Sequence, residues 1–291
     1  MVLKTSKAPW QRLGYKLKLG LRSCTEEDWL PFEDPFGDDM ARSHQIWLKT
    51  TLSEKQHEDV FSALSATESA SAEVLAMICS YLRTFHSSQS LRPDRHLHPL
   101  DAAARLIPED LLVLAPQPVD SDEWEKNSEW RLVAASLCFP AHWVLAEKMN
   151  RSLADIHAPV PHYKERLETP LDRFFTHMQV GTISTRMNWS LQFGNALFAP
   201  HREARLPSQG QEAIQQIFVR MERQTLRKLP LTGHILFTIR TSVVPVMAWK
   251  NTPHAIADLV TILDEMSSAT RAYKGVDLYQ DTLRQQINAA T

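Results

Sequence analysis

Two stretches of the chain concentrate side chains able to do chemistry. The first, MERQTLRKLP (221–230), places Glu222, Arg223, Gln224, Thr225 and Arg227 within six residues. Side chains alternate along a strand, so Glu222, Gln224 and Leu226 share one face and Arg223, Thr225 and Arg227 the other. Two arginines on one face can grip an anion in forked geometry, and a carboxylate set in a pocket can hold a cation or move a proton. A solvent-facing ladder of charges has the same composition. TRMNWS (185–190) repeats the pattern, with Arg186, Asn188 and Ser190 alternating with Met187 and Trp189. Its plainest reading is a half-exposed strand with Trp189 turned into the core.

The second stretch is ADIHAPVPHYK (154–164). His157 ends a helical stretch directly before Pro159 and Pro161, which remove backbone donors and push their predecessors towards extended conformations. A histidine on so stiff a junction suits a metal or cofactor ligand, and equally an ordinary loop. Lys148 and Arg151 lie just upstream. They read as a solvated helix face, or, together with His157, as a setting for a carboxylate-bearing macrocycle: imidazole to its metal, basic groups to its edge. Cys138, in LVAASLCFP, reads as an inert buried thiol rather than a nucleophile or a thiolate ligand. The His96/His98 pair sits in a polar loop without supporting carboxylates or thiols. There is no GxGxxG, Walker, HExxH or GxSxG motif, and eight glycines leave little for a phosphate-cradling loop.

The elements that must position these residues follow from periodicity. LLVLAP (111–116), WRLVAASLCFP (130–140), ISTRMNWSLQF (183–193), IFVRMERQTLRKL (217–229) and HILFTIRTSVV (234–244) read as five strands, the last two joined by a PLTG turn. Helical spacing covers 41–53, 55–85, 141–157 and PLDRFFTHM (170–178). A last helix begins after Thr252 as N-cap and stops at Gly275. The segment 86–103 reads as a loop. Strands with helices before, between and after them indicate an α+β fold on an antiparallel sheet.

Size and composition bound the rest. The chain has 291 residues, 43% of them hydrophobic and 23% charged, with a net charge of −2. That describes a globular protein with no global basic field for nucleic acid. Cys24, Cys79 and Cys138 are far apart and form no CxxC pair, which points to a reducing compartment. No apolar run is long enough to span a bilayer. The basic, acid-poor N-terminus lacks the apolar core of a secretory signal; it reads as a cytoplasmic protein's basic arm (1–18), with a mitochondrial transit segment as the alternative.

Taken in order, LGLRSCTEEDWLPFED (19–34), SLCFPAHWVLAEKMNRSLADIHAPVP, RMNWS, MERQTLRKLP, HILFTIRT and YKG (273–275) resemble the family of haem-dependent oxidative N-demethylase alpha subunits and their relatives. The likeness spans roughly residues 19–280. It implies a PAS-like core, a five-stranded antiparallel sheet with flanking helices holding haem b over residues 111–280. The mainly helical region 19–110 is then an N-terminal extension packed on the core, and 281–291 a tail. It also implies oxidative demethylation of a small secondary or N-methylated amine such as dimethylamine, releasing formaldehyde. Oxygen is the oxidant, and electrons come from NADPH through a separate flavin/iron-sulfur reductase. Carried over by motif, His157 becomes the axial iron ligand, and Arg186, Arg223 and Arg227 become contacts to the propionates or pocket. Glu222 becomes the catalytic carboxylate, with Asn188 and Gln224 behind it. A haem-binding sensor or carrier without turnover, and a haem-free structural relative, are the competing readings.

Overall fold

The computed structural model describes residues 7–15, 17–33, 39–87, 92–116, 129–202 and 213–290. Lys4 and Lys16 of the basic arm, and 88–91 of the 86–103 segment, lie outside the described residues. The described strands are β1 (Arg22–Cys24), β2 (Phe61–Ala63), β3 (Asp110–Pro116), β4 (Trp130–Ser136), β5 (Ile183–Phe193), β6 (Ile217–Lys228) and β7 (Ile235–Pro245). They form one antiparallel sheet in the order β1-β5-β6-β7-β3-β4-β2.

The five long strands are those that alternation and branched residues predict, and they form an unbroken run in the middle of the sheet. The expectation of five strands is nonetheless short by two. β1 and β2 come from the N-terminal third, are three residues each, and add one strand to either edge. β6 and β7 form a hairpin through Leu229–His234, where Gly233 takes a φ of 72° and donates its N–H to the Leu229 carbonyl. Buried Glu73 holds the tip of that turn, accepting from the N–H groups of Leu231 at 2.7 Å and Thr232 at 3.0 Å and from the Thr232 hydroxyl at 2.7 Å.

The described helices are α1 (Pro9–Leu13), α2 (Asp39–Lys55), α3 (His57–Val60), α4 (Glu68–Phe85), α5 (Pro99–Ala104), α6 (Leu145–Lys148), α7 (Leu153–His157), α8 (Thr169–Thr176), α9 (Ala255–Asp264), α10 (Ser268–Lys274) and α11 (Gln280–Ala290). Four expectations about the helices and the loop before α5 need correction. The helix expected over 55–85 is broken into α3 and α4, because Phe61–Ala63 pairs with Ala134–Ser136 of β4 as β2. The single helix over 141–157 is two short ones, because Asn150 turns at φ 58° and 150–152 pairs with the edge of β4 instead. Ladder bonds, Leu132 N–H to Arg151 O and Asn150 N–H to Leu132 O, replace the helical ones there. The loop over 86–103 ends in α5, started by Pro99 and capped by the His98 ring, which accepts from Leu100 N–H at 3.3 Å. The last helix, expected from Thr252 to Gly275, is two: α9 begins at Ala255, with His254 at φ 59° as the cap residue, and α10 starts anew after Ser267, whose hydroxyl accepts from Thr270 N–H. Gly275 does stop α10, in the left-handed conformation that costs glycine no steric penalty.

The sheet's two faces are covered differently. On one, Trp189, Leu191, Val219 and Met221 pack with α1, α9 and α11, while Val74, Ile78 and Leu82 from successive turns of α4 pack beside Leu111, Val113 and Leu236. Each such side chain contributes about 1.5–3 kcal/mol on burial. On the other face, Leu112, Leu114, Leu132, Leu226 and Ile239 pack with Leu145 of α6, Leu153 of α7 and Phe175 of α8, so α6–α8 cover only that half. The remaining half of this second face carries the polar residues. It is called the His157 face below.

Candidate functional site

Strand register decides who can meet. Asn188 lies opposite Glu222, Arg186 opposite Gln224, and Glu222 opposite Thr241, so all of these project from one face of β5, β6 and β7. Leu226 continues the same face into the apolar cluster that contains Leu153 of α7. Arg186, Asn188, Glu222 and Gln224 are only half-buried although they sit on central strands, so part of this polar half of the face reaches solvent.

His157 closes one end of it. Its helix is capped by Ser152, whose hydroxyl accepts from Asp155 N–H at 3.1 Å, and anchored by Leu153 and Ile156 in the apolar cluster. The ring's Nδ1 lies 2.8 Å from the Leu153 carbonyl, so Nδ1 carries the proton and Nε2 presents its lone pair. The ring also stacks on Tyr163, with centroids 4.8 Å apart and planes 7° from parallel. Burial pushes the imidazole's pKa down, the Leu153 bond opposes this, and the charges of Arg186 and Lys148 reinforce it. The result is a neutral, oriented imidazole.

Glu222 occupies the middle. Gln224 Nε2 donates to its Oε2 at 2.9 Å and Arg220 Nε to its Oε1 at 3.4 Å. Arg220, fully buried, also donates to the carbonyls of Phe139 and Leu197 and to Gln192 Oε1, so one guanidinium ties two chain segments to the carboxylate. Arg186 differs. Burial pushes its pKa down, Glu222 pulls it up, and its buried Nε has no hydrogen-bond partner. At the free edge of β5, Lys274 donates to the Trp189 carbonyl at 3.2 Å and lies 4.7 Å from the Tyr15 ring centre. Burial moves its amine down to about 8, with Glu222 pulling the other way and Arg202 and Arg186 adding to the fall.

Arg223 and Arg227 do share a face, but it is the opposite one, away from His157. Arg223 donates to the carbonyls of Trp29 and Asp28 and to Cys24 Sγ. Arg227 pairs with Glu26 at 2.9 Å and lies over the Trp29 ring at 4.2 Å. Trp29 Nε1 in turn donates to Thr225 Oγ1 at 3.2 Å. These two arginines clamp the segment Cys24–Trp29 onto the sheet, and the structure does not bring them to the His157 face.

Of the sequence-predicted residues, then, His157, Arg186, Asn188, Glu222 and Gln224 gather on one face, and Arg223 and Arg227 do not. Sequence reasoning missed Arg220 and Tyr163. Arg220 had a signal, since it stands two residues before Glu222 on a strand and so shares its face; Tyr163 had none beyond its nearness to His157. Cys138 is buried, and burial raises its thiol to about 12, in keeping with an inert role. His98 is spent on the start of α5, and among the described residues no group of three or more His, Cys, Asp or Glu could hold a metal ion.

A metal-bearing macrocycle asks for something else: one axial donor and a cation for its acid edge. The free Nε2 of a neutral His157 supplies the donor, and the unpartnered buried Nε of Arg186 shows a guanidinium with bonding capacity to spare. Leu112, Leu226 and Ile239 provide an apolar floor nearby. The residues present fit such a group. No described helix is long and apolar enough to cross a membrane. Residues 20–284 match the family model for haem-dependent oxidative N-demethylase, alpha subunit-like.

Proposed function

The chain belongs to the haem-dependent oxidative N-demethylase alpha subunit-like family, and from that premise we propose that it is a haem-dependent monooxygenase component that removes a methyl group from a small secondary or N-methylated amine. The observation that carries the reading is His157: a neutral imidazole with Nδ1 tied to Leu153 and Nε2 free, at the end of a half-open polar face. We read the unbroken run of five long strands as the PAS-like core of this family, with haem b on the His157 face.

His157 Nε2 would hold the iron, and Arg186 would pair with the acid edge of the macrocycle. When bound, haem supplies the oxygen-activating redox chemistry that oxidises the N-methyl carbon, which leaves as formaldehyde. The protein's own residues do the rest. Glu222, held by Arg220 and Gln224, keeps its carboxylate pointed at the face and handles the amine proton at its oxygens. Asn188, directly across from Glu222, contributes an amide beside the amine. Leu226, Ile239 and the helices over them keep water from the methyl group. Electrons come from NADPH through a separate flavin/iron-sulfur reductase; the alpha subunit-like name of the family supports a partner subunit.

The test is optical and chemical. Purified protein titrated with haem and reduced with dithionite develops a histidine-ligated Soret spectrum, and His157→Ala loses it. An unchanged spectrum in His157→Ala sinks the ligand assignment. Supplied with a surrogate electron donor and dimethylamine, the haem-loaded protein releases formaldehyde, and Glu222→Gln slows this by at least tenfold. A haem spectrum without any formaldehyde from a panel of N-methylamines favours a sensor or carrier instead.

A further inference from the structure

His157 is held in two directions at once. Its Nδ1–H bond to Leu153 fixes one edge of the ring, while rotation about the Cβ–Cγ bond of an imidazole is by itself broad and only weakly restrained. Tyr163 lies flat against the ring's face and blocks that rotation. At 7° the pair is far flatter than the other ring contacts among the described residues, the next being His44 with Trp47 at 30°. Aromatic pairs left to packing adopt edge-on or tilted arrangements at least as readily, so a parallel pair asks for a cause.

The backbone supplies one. Val160 N–H bonds to the His157 carbonyl at 2.8 Å and Tyr163 N–H to the Val160 carbonyl at 3.2 Å, giving two turns in succession. Pro159 and Pro161 fix φ inside those turns, and His162 takes a left-handed φ of 62° that swings the chain back over the imidazole. The tyrosine ring is buried to 4% exposure, yet its hydroxyl has no hydrogen-bond partner. The phenol oxygen therefore does not hold the ring in place; the turns do.

We propose that Tyr163 is a positioning residue that fixes the plane of the His157 ring, and with it the direction of the Nε2 lone pair. The proposal rests on the reading of His157 as the iron ligand. It assigns a role to the two prolines as well: they make the loop that carries the stacking ring.

Cavity complementation separates this idea from the one beneath it. His157→Gly opens a slot that free imidazole can fill, and optical titration of the haem-loaded variant gives the imidazole affinity. The same titration is made with Tyr163→Phe and Tyr163→Leu added. Stacking predicts equal affinity with Tyr163 and Tyr163→Phe, and a loss of about tenfold or more with Tyr163→Leu, the range seen when groups that orient a metal ligand are removed. In the protein that keeps His157, Tyr163→Leu broadens the electron paramagnetic resonance g-values of the ferric azide complex, and Tyr163→Phe does not. Equal imidazole affinity in all three backgrounds overturns the proposal, and so does a loss in Tyr163→Phe, a variant that keeps the ring and needs no refolding of the loop. A His157→Gly spectrum identical to that of the unaltered protein before imidazole is added is a different result, and overturns the ligand reading instead.

Discussion

Glu222 and Arg223 are neighbours in sequence and serve opposite faces of the sheet. Glu222 accepts from Gln224 at 2.9 Å and Arg220 at 3.4 Å on the His157 face, while Arg223 donates to the Trp29 carbonyl at 2.9 Å on the other. One short stretch of β6 thus builds the candidate site and fastens the N-terminal segment behind it.

Arg223→Ala should cost stability and leave haem binding alone. It removes charge-assisted bonds to two backbone carbonyls, worth about 1.5–3 kcal/mol each at most, so a loss of about 2–3 kcal/mol in urea denaturation is expected. Arg223→Lys recovers only part, because a single ammonium lacks the planar fork that reaches Trp29 and Asp28 together. The Soret position of the haem-loaded variant stays where it was. A shifted Soret band places Arg223 in the site after all.

Arg186→Gln should do the reverse. The guanidinium's buried Nε has no partner, so its removal leaves stability unchanged or raises it by about 1 kcal/mol. Loss of its contact to a haem propionate weakens haem binding by about tenfold, the worth of one charge-assisted contact. Haem titration and thermal denaturation of the same variant read both effects, and unweakened haem binding removes the proposed contact.

The hairpin tip gives a purely structural prediction. Glu73→Ala strands three donors from Leu231 and Thr232, which should cost about 2 kcal/mol. Amide hydrogen exchange at Leu231 and Thr232 should quicken well before exchange in the middle of β6 and β7 does. Unchanged protection at both amides means the turn holds without its anchor.

Asp110 makes stability depend on pH. Burial raises its carboxyl from 3.8 to about 6, against the pull of Lys49 at 3.8 Å and of the N–H groups of Cys138 and Phe139. The native state keeps this proton in a range where the unfolded chain has lost it. Its contribution to stability is therefore largest below 3.8, falls as pH rises to about 6, and is flat beyond. The advantage of the unaltered protein over Asp110→Asn should shrink across that window. Urea titrations at either end check it, and a growing advantage contradicts the assignment.

The long strands were legible because half-buried strands write a period of two into the sequence, and eleven or twelve such residues make the pattern unmistakable in β5, β6 and β7. β1 and β2, at three residues each, have no room for a period. The break at Asn150 was invisible for another reason: 141–157 has helical spacing, and only the unpaired edge of β4 makes an extended path at 150–152 preferable. Hydrogen bonds to a distant strand override a local propensity.

Alternation also told that Glu222 and Gln224 face away from Arg223 and Arg227, since a pleated strand leaves no other choice. Which of those faces meets His157 is not a property of the strand. It depends on where α7 and the segment Cys24–Trp29 dock, and that is settled by apolar contacts between residues far apart in the chain. The sequence by itself determined the residue types, the alternation and the stiff junction after His157. Only the tertiary structure chose one face for the site and the other for a clamp, because burial and partner choice arise when the helices close over the sheet.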